Sequence, residues 1–435
     1  MKGDIQGRHH SPRARDDLIM FTESPPAKIR LTLFLFTDIR TGAGTERVAL
    51  NLIDHKPEDF EITVVETDFL DVVRIPVNLA EKAASKCKII KFHKEVTHPI
   101  GLLRNNLLVG MWDNLITRPV HREYRGLKEF VRAAIRDTDE VYLMRNQYAA
   151  FFRGINDIPI IASDHCDVPP LPPFYTMVKT NNSVRRALRT LYYRALYRLY
   201  YKPINGLHAF PKDQRILDRT NVRYKMILSN GVDTSIFHPD YHRRNRRIRF
   251  LFVARLIKEK GLDILLPVID MLHGENLVEF HIAGGGPMEE DVRQRKGVIY
   301  HGVLSNEDLA ELYRQCDVFV YPSHNDIYSL VVLEALASGL YVLTGEFQRK
   351  TFDDFEGKYL EYIPMKAESF YKRVQDIIKD RRIIEHDKRA QFEYIKANYD
   401  WSVIADRFYD YMRTFYEESK KISDDKGGNR SNSHT

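Results

Sequence analysis

Cysteine is scarce in this chain of 435 residues, and its three cysteines lie far apart at positions 87, 166 and 316. They form no CxxC pair and no disulfide framework, so the sequence predicts a reducing compartment. Long apolar runs are also missing. The densest run, Leu31–Phe36, has the length of a strand and falls well short of the ~18 residues that a membrane span needs. Residues 1–27 lack the apolar core of a secretory signal, and we expect a flexible tail there.

Neither sign of charge dominates the composition. The 66 basic residues exceed the 60 acidic ones, which gives a net charge of +6. This excess permits an anionic partner, but outside one segment acidic residues are interleaved with the basic ones, so we expect no binding to nucleic acid. The hydrophobic and charged fractions, 43% and 29%, are those of a globular protein, and the length suggests two or three domains, most simply two of roughly 200 residues each.

Apolar runs of strand length alternate with helical stretches along both halves of the chain. The runs in the first half are Ile29–Phe36, Glu61–Val65, Cys87–Phe92, Val141–Met144 and Pro159–Ser163. Those in the second half are Ile248–Ala254, Val278–Ala283, Val298–His301, Asp317–Tyr321 and Tyr341–Thr344. This order predicts the α/β class, with parallel sheets that helices cover on both faces.

The basic stretch at 240–247 separates the two alternating regions. We therefore predict two Rossmann-like domains, residues 28–240 and 241–400, which face each other across a cleft. A helix at 401–418 is expected to pack back on the first domain, and the polar tail at 419–435 is expected to be disordered.

Glycines and polar residues follow the predicted strands, at the edge where parallel sheets bind ligands. They are Gly42, Gly44, Arg145, Asn146, His165, Arg255, Lys260, Gly285, Val303 and Asp326, with Ser329, Leu330 and Glu334 in the helix that follows. Each alone has an ordinary explanation, such as a tight turn, a solvated surface pair or a structural histidine. Their arrangement at one kind of edge in both halves favours a ligand site in the cleft.

Several segments in this order resemble the retaining glycosyltransferases of the GT-B fold, which use nucleotide-sugar donors (glycosyltransferase family 4). The segments are SNGVDTSIFHP at 229–239, VARLIKEKG at 253–261, AGGGP at 283–287, YHGV at 300–303 and DIYSLVVLEALASG at 326–339. The first half resembles that family mainly through TGAGTERV at 41–48. The resemblance implies a hexosyltransferase that acts with retention of anomeric configuration.

The resemblance also implies how the second half would hold the donor. Arg255 and Lys260 match positions that bind the diphosphate, where fixed cations neutralise the charge that develops on the leaving group. The backbone N–H groups of Ser329 and Leu330 open a helix and suit phosphate oxygens. Glu334 matches the carboxylate that holds the ribose hydroxyls.

The remaining donor and acceptor positions come from the same resemblance. Asp326 matches the carboxylate beside the donor sugar, and His165 matches a position near the reacting sugar. Gly285 matches a donor-binding position, and Val303 would lie near the base. Gly42 and Gly44 would let the backbone approach the phosphates or the acceptor. Arg145 and Asn146 are candidate acceptor contacts.

One position departs from the family pattern. The usual E-x7-E reads D-x7-E here, with Asp326 and Glu334. The departure keeps open a non-catalytic protein that binds sugar nucleotides or glycans on the same scaffold. A nucleotide-sugar epimerase of the GT-B fold is a further alternative.

The sequence also contains a DxD motif, Asp137-Thr138-Asp139, which is typical of metal-dependent glycosyltransferases of another fold. It precedes the strand Val141–Met144, so it should lie at the edge opposite the ligand edge, as a helix end and turn. We therefore expect no catalytic metal and no cofactor beyond the nucleotide-sugar substrate.

The segment Val184–Lys202 carries six basic residues, five tyrosines and no acid. Its leucines recur at helical spacing, so one face would be apolar and the other basic. Such a helix suits an anionic membrane surface, although a solvated basic face of the first domain explains it equally. With a glycolipid, lipid-linked oligosaccharide or polysaccharide as acceptor, we expect a cytoplasmic protein that is peripheral at the inner face of the membrane.

Overall fold

The computed structural model describes most of the second half of the chain and separate parts of the first. The described residues are 28–35, 44–67, 85–92, 127–144, 149, 151–152, 154–155, 158–163, 203–211, 217, 221–243, 245–324, 326, 328–349 and 351–431. The predicted tail at 1–27 and the basic segment at 184–202 lie outside these residues.

A first sheet of seven parallel strands forms from the first half of the chain. Its strands are β1 (Ile29–Phe34), β2 (Phe60–Thr67), β3 (Lys88–Phe92), β4 (Glu140–Leu143), β5 (Ile160–Ser163), β6 (Gly206–Ala209) and β7 (Tyr224–Ile227). Their order across the sheet is β3-β2-β1-β4-β5-β6-β7. The order reverses direction between β1 and β4, so the first sheet has its switch point there.

A second sheet of six parallel strands repeats this order. Its strands are β8 (Ile248–Val253), β9 (Val278–Ala283), β10 (Val298–Gly302), β11 (Val318–Tyr321), β12 (Tyr341–Gly345) and β13 (Leu360–Ile363). They lie in the order β10-β9-β8-β11-β12-β13, which places the second switch point between β8 and β11. The α/β class and the parallel sheets predicted from the sequence are confirmed.

Helices connect and cover the strands. They are α1 (Gly44–Asp54), α2 (Leu127–Ala134), α3 (Leu262–Met271), α4 (Glu289–Arg293), α5 (Asn306–Gln315), α6 (Leu330–Ala337), α7 (Ala367–Lys379), α8 (Lys388–Tyr399) and α9 (Trp401–Ser431). Because helices cover both faces, strands such as β4, β5 and β11 are buried at every residue. The described residues contain no helix that is both long and apolar enough to cross a membrane.

The structure adds strands that the sequence did not predict, namely β6, β7 and β13. Gly206–Ala209 is four residues long and includes a glycine and a histidine, so it carries neither an apolar run nor an alternating pattern. The bounds of α9 also differ from expectation, since this helix ends at Ser431 and not at Glu418. Residues 419–431, predicted to be disordered, therefore belong to it.

The chain passes between the two halves twice, and the two crossings are paired. The N–H of Val232 donates to the carbonyl of Tyr399 (2.8 Å), and the N–H of Trp401 donates back to Val232 (3.1 Å). Val232 and Phe237 pack in the second core, so the change of core falls near residue 230 and not at the predicted boundary of 240. After the second crossing, α9 packs Phe408 and Met412 into the first core.

A buried histidine in β6 makes the stability of the first half depend on pH. The Tyr142 hydroxyl donates to Nδ1 of His208, and Nε2 donates to the Leu228 carbonyl at 3.0 Å. Burial lowers the pKa of His208 to about 4, against about 6.5 in an unfolded chain. The folded state thus binds a proton at His208 more weakly than the unfolded state does. The free energy of unfolding is therefore highest above the pKa of the unfolded chain and falls as the pH drops toward 4.

We expect His208→Gln to weaken this acid sensitivity, because glutamine takes up no proton. From the two pKa values, the loss in free energy of unfolding between about pH 7 and about pH 5 should be smaller by about 2 kcal/mol than in the parent chain. Urea unfolding at the two pH values measures it. His242→Gln, at an exposed histidine, is the matched control and should leave the loss unchanged. An unchanged loss in His208→Gln would contradict the assignment.

Candidate active site

Two loops meet at the switch point of the second sheet. The loop after β8 carries Lys260, and the loop after β11 carries Asp326. Because β8 and β11 are neighbours, the two side chains come together, with Nζ of Lys260 2.5 Å from Oδ1 of Asp326. Their side chains are 16% and 22% exposed, so the ion pair is largely sheltered from water but reaches the surface of the cleft.

The carboxylate of Asp326 is held at several points. Besides Lys260, the hydroxyl of Tyr321 donates to Oδ2, and that of Ser329 donates to the same oxygen at 3.2 Å. Burial acts to raise the pKa of Asp326, but the charge of Lys260 and these hydrogen bonds together hold it below its usual range. Asp326 is therefore a fixed, ionised carboxylate at neutral pH.

The start of α6 lies beside this carboxylate. Ser329 occupies the N-cap position, yet its side chain makes no capping hydrogen bond. Its hydroxyl is committed to Asp326 and accepts from the buried amide of Gln348 at 2.6 Å. The first N–H groups of α6 therefore keep the partial positive charge of a helix start, which suits a phosphate.

The glycine-rich loop after β9 forms a second wall of the site. The N–H of Leu256 donates to the carbonyl of Gly285 (2.9 Å), and that of Gly284 donates to Gly302 (2.7 Å). A Cβ on Gly285 would lie 2.9 Å from a methyl group of Val303, whose residue is 57% exposed. The loops after β8, β9 and β10 are thus joined, and Val303 projects from them into solvent.

Glu334 lies one turn into α6 and is buried. Its carboxylate accepts from Nη2 of Arg47 at 2.6 Å and from the hydroxyl of Tyr313 at 3.3 Å. One turn of helix places it about 6 Å along the axis from Leu330. A phosphate at the start of α6 and a ribose at Glu334 would be adjacent parts of one ligand.

The structure brings together most of the positions that the sequence singled out in the second half. Lys260, Asp326, Ser329, Leu330 and Glu334 surround the start of α6, with Gly285 and Val303 in the adjoining loops. Arg255 is exposed, and its side chain makes no hydrogen bond or ion pair to the described residues. Its guanidinium is thus available to an anion.

The positions from the first half are less fully described. Gly44 begins α1, and a Cβ there would meet no atom within 4 Å. Gly42, Arg145, Asn146 and His165 lie outside the described residues. Their roles stay predictions from the resemblance.

Sequence reasoning missed Arg47, Tyr321 and Gln348. Arg47 lies three residues after the second glycine of TGAGTERV, and its position in that segment was the available signal. Tyr321 counted only as the last residue of a strand. Gln348 lies in a short 3-10 helix after β12 and carries no motif, so nothing in the sequence marked it.

The DxD motif lies where the sequence placed it, in the turn before β4. Nη2 of Arg30 binds Asp139 at 2.8 Å, and the hydroxyls of Thr138 and Thr32 are 2.6 Å apart. These contacts tie β1 to the amino end of β4, away from the ligand edge. Within the described residues, no group of three or more His, Cys, Asp or Glu side chains is arranged to hold a metal ion.

Solved structures share this architecture. The chain superposes on sucrose-phosphate synthase from Thermosynechococcus elongatus with a TM-score of 0.62, covering 90% of this chain and 100% of that one at 14% identity. The complex of Anabaena Alr3699/HepE with UDP-glucose gives a TM-score of 0.62, with 89% and 100% covered at 12% identity. The chain therefore has the GT-B fold, two Rossmann-like halves of parallel sheet and helix.

Sequence comparison matches most of the second half of the chain to a family model. The model of the family described as "Glycosyl transferases group 1" matches residues 233–398. The sulfoquinovosyl transferase SQD2 of Arabidopsis thaliana is 29% identical over 56% of this chain and 49% of its own length. The phosphatidylinositol N-acetylglucosaminyltransferase gpi3 subunit of Schizosaccharomyces pombe is 22% identical over 43% of this chain and 43% of its own length. The chain thus spans about half or less of the length of these relatives.

These matches define the class of the chain. It has the GT-B fold, and residues 233–398 match the model of the glycosyl transferases group 1 family, so the resemblance stated from its sequence motifs is confirmed. Residues 233–398 contain the whole switch point between β8 and β11, so the matched region coincides with the site described above.

The tight packing of the glycine-rich loop is open to test at Gly284. Its φ of +131° lies outside the range of L side chains, and a Cβ there would lie 1.8 Å from the carbonyl oxygen of Ala254. Gly284→Ala should therefore lower the free energy of unfolding by about 3 kcal/mol or more. Denaturant unfolding measures the loss.

Gly274→Ala is the matched control, since Gly274 has a φ of +91° but open space around its Cβ. It should lower the free energy of unfolding by about 1–2 kcal/mol, the cost of holding alanine in a left-handed backbone conformation. Equal losses of free energy of unfolding in the two variants would contradict this, because they would show that the loop at Gly284 shifts to accommodate a methyl group.

Proposed function

We propose that this chain transfers a hexose from a nucleoside-diphosphate sugar to an acceptor, with retention of anomeric configuration. The observation that carries the proposal is the meeting of Lys260, Asp326 and the uncapped start of α6 at one switch point. A cation and a helix start suit a diphosphate, and a fixed carboxylate suits the hydroxyls of a sugar beside it.

In this proposal the charges of the chain stabilise the leaving group. As the bond between the sugar and the diphosphate breaks, negative charge grows on the diphosphate. Lys260 and the exposed Arg255 neutralise that charge, and the N–H groups at Ser329 and Leu330 donate to its oxygens. Glu334 accepts hydrogen bonds from the ribose hydroxyls, and Val303 lies against the base.

Asp326 is assigned to the donor sugar, since its carboxylate is ionised and its side chain keeps 22% of its surface exposed. We assign the acceptor side to the first half, with His165 near the reacting sugar and Arg145 and Asn146 at the acceptor. Gly42 and Gly44 let the backbone approach the phosphates or the acceptor. No further cofactor is part of the proposal.

We infer a glycolipid, a lipid-linked oligosaccharide or a polysaccharide as the acceptor. The name of one relative, a phosphatidylinositol N-acetylglucosaminyltransferase, states a lipid acceptor for that protein. The basic, tyrosine-rich segment at 184–202 would bring such an acceptor to the site from an anionic membrane surface. We therefore propose that the chain acts at the cytoplasmic face of a membrane.

The donor assignment predicts a measurable release of nucleoside diphosphate. One sugar nucleotide from a panel of UDP-, GDP- and ADP-sugars should yield its diphosphate in the presence of EDTA, and a membrane extract should increase the yield. Lys260→Ala should lower the rate by roughly 100-fold or more, since it removes the fixed cation at the diphosphate. Lys258→Ala, at an exposed lysine of the same short helix, is the matched control.

The aspartate at position 326, shorter than the usual glutamate, favours a second candidate function. A non-catalytic protein on this scaffold would bind one sugar nucleotide and release no diphosphate with any acceptor. Binding without turnover in the panel would therefore favour that function over the transferase.

The membrane assignment predicts sedimentation with anionic vesicles. The chain should bind liposomes that contain phosphatidylglycerol and not those of phosphatidylcholine alone. Reversal of charge at Arg186, Arg189 and Arg194 to glutamate should abolish this binding, whereas reversal at three exposed positions of the second half, Arg246, Arg293 and Arg382, should not. Unchanged binding in the first variant would exclude this segment as the membrane contact.

A further inference from the structure

The buried carboxylate of Glu334 has its cation in the other half of the molecule. Nη2 of Arg47, from α1, lies 2.6 Å from Oε1 of Glu334, from α6. The two residues are 287 positions apart in the chain. The side chain of Glu334 is 3% exposed and that of Arg47 is 23% exposed, so the pair lies just inside the cleft.

The topology explains why these two helices meet. α1 follows β1 at the switch point of the first sheet, and α6 follows β11 at the switch point of the second. Arg47 lies in the first turn of α1, where the amide of Asn51 donates to its backbone carbonyl at 2.7 Å. The side chain thus extends from a fixed helix start toward the opposite half.

Other contacts hold the start of α6 against the first half. The rings of Phe210 and Tyr328 stack at 4.8 Å, and Leu330 packs against the first core. The amide of Asn230 donates to the carbonyl of Tyr328 at 3.4 Å. The approach of Arg47 to Glu334 therefore belongs to a continuous contact between the two halves.

A carboxylate as buried as Glu334 needs a charged partner, because burial removes its hydration. Within the described part of the chain, Arg47 is the cation that forms an ion pair with it. The hydroxyl of Tyr313 contacts the other oxygen. Since each carboxylate oxygen can accept two hydrogen bonds, both oxygens keep capacity for the hydroxyls of a ribose.

We propose that Arg47 is a positioning residue of the donor site. It forms an ion pair with Glu334 and fixes the orientation of the Glu334 carboxylate, which can then accept hydrogen bonds from the ribose hydroxyls of a nucleoside diphosphate. This inference rests on the proposed function, in which Glu334 binds the ribose. It adds that recognition of the nucleoside by the second half depends on a side chain from the first.

The test compares ribose and 2′-deoxyribose ligands by calorimetric titration. UDP, GDP and ADP and their 2′-deoxy forms are titrated into the parent chain, Arg47→Met, Glu334→Gln and the double variant. In the parent we expect the ribose form to bind more tightly. Arg47→Met should weaken the ribose form by roughly 10-fold and barely change the deoxy form, since the loss falls on the hydroxyl contact. The double variant should lose no more than Glu334→Gln, because both act on that contact.

Two further variants keep the result interpretable. Arg413→Met removes another long-range ion pair, with Nε 2.6 Å from Asp59, far from the cleft, and should keep the full preference for ribose. Arg47→Lys keeps the positive charge but lacks the planar guanidinium group, so its preference for ribose over 2′-deoxyribose should be intermediate. This variant tests the proposal even where Arg47→Met fails to fold. Thermal unfolding establishes that each variant is folded.

The possible outcomes separate this inference from the function on which it rests. A parent chain that binds none of the diphosphates would overturn the proposed function and this inference with it. If the parent chain binds a diphosphate and Arg47→Met prefers the ribose form as strongly as the parent does, the inference alone is overturned. Tighter binding of the ribose form by Arg47→Met would also overturn it, because Arg47 would then compete with the ribose for Glu334.

Discussion

The ion pair between Lys260 and Asp326 is the contact on which the organisation of the candidate site depends. It joins the loops that leave the two neighbouring strands β8 and β11, and it fixes a cation and a carboxylate beside the start of α6. Hydrogen bonds from Tyr321 and Ser329 keep the carboxylate in place, which leaves the first N–H groups of α6 without a side-chain cap. A ligand that enters here meets fixed charges of both signs, as the boundary between a diphosphate and a sugar requires.

The two sheets extend this local arrangement to the whole molecule. Both have the same strand order up to β6 and β13, so each has a switch point next to its first strand. Two paired crossings at Val232 and Trp401 connect the halves, and α9 returns to the first core. The contact of Arg47 with Glu334 then joins the helix at one switch point to the helix at the other.

The sequence predicted the parts of this structure that leave a local pattern. Continuous apolar runs such as Val278–Ala283 identified buried strands, and the residues after them identified the ligand edge. Gly206–Ala209 has no such run, because its pairing with β5 and β7 and not its composition makes it a strand. The position of Arg47 in TGAGTERV did not reveal its role either, since its partner lies 287 residues away and becomes a neighbour only in the folded chain.

We propose that Asp326 contacts the donor sugar while Lys260 and the start of α6 hold the diphosphate. The most direct test measures, on Asp326→Asn, both the equilibrium binding of the preferred nucleoside diphosphate and the rate of sugar transfer from the matching donor. We expect the diphosphate to bind at least as tightly as before, because Lys260 is freed from its ion pair, while the rate of transfer falls by roughly 100-fold. Parallel loss of binding and transfer, or full activity in the variant, would contradict it.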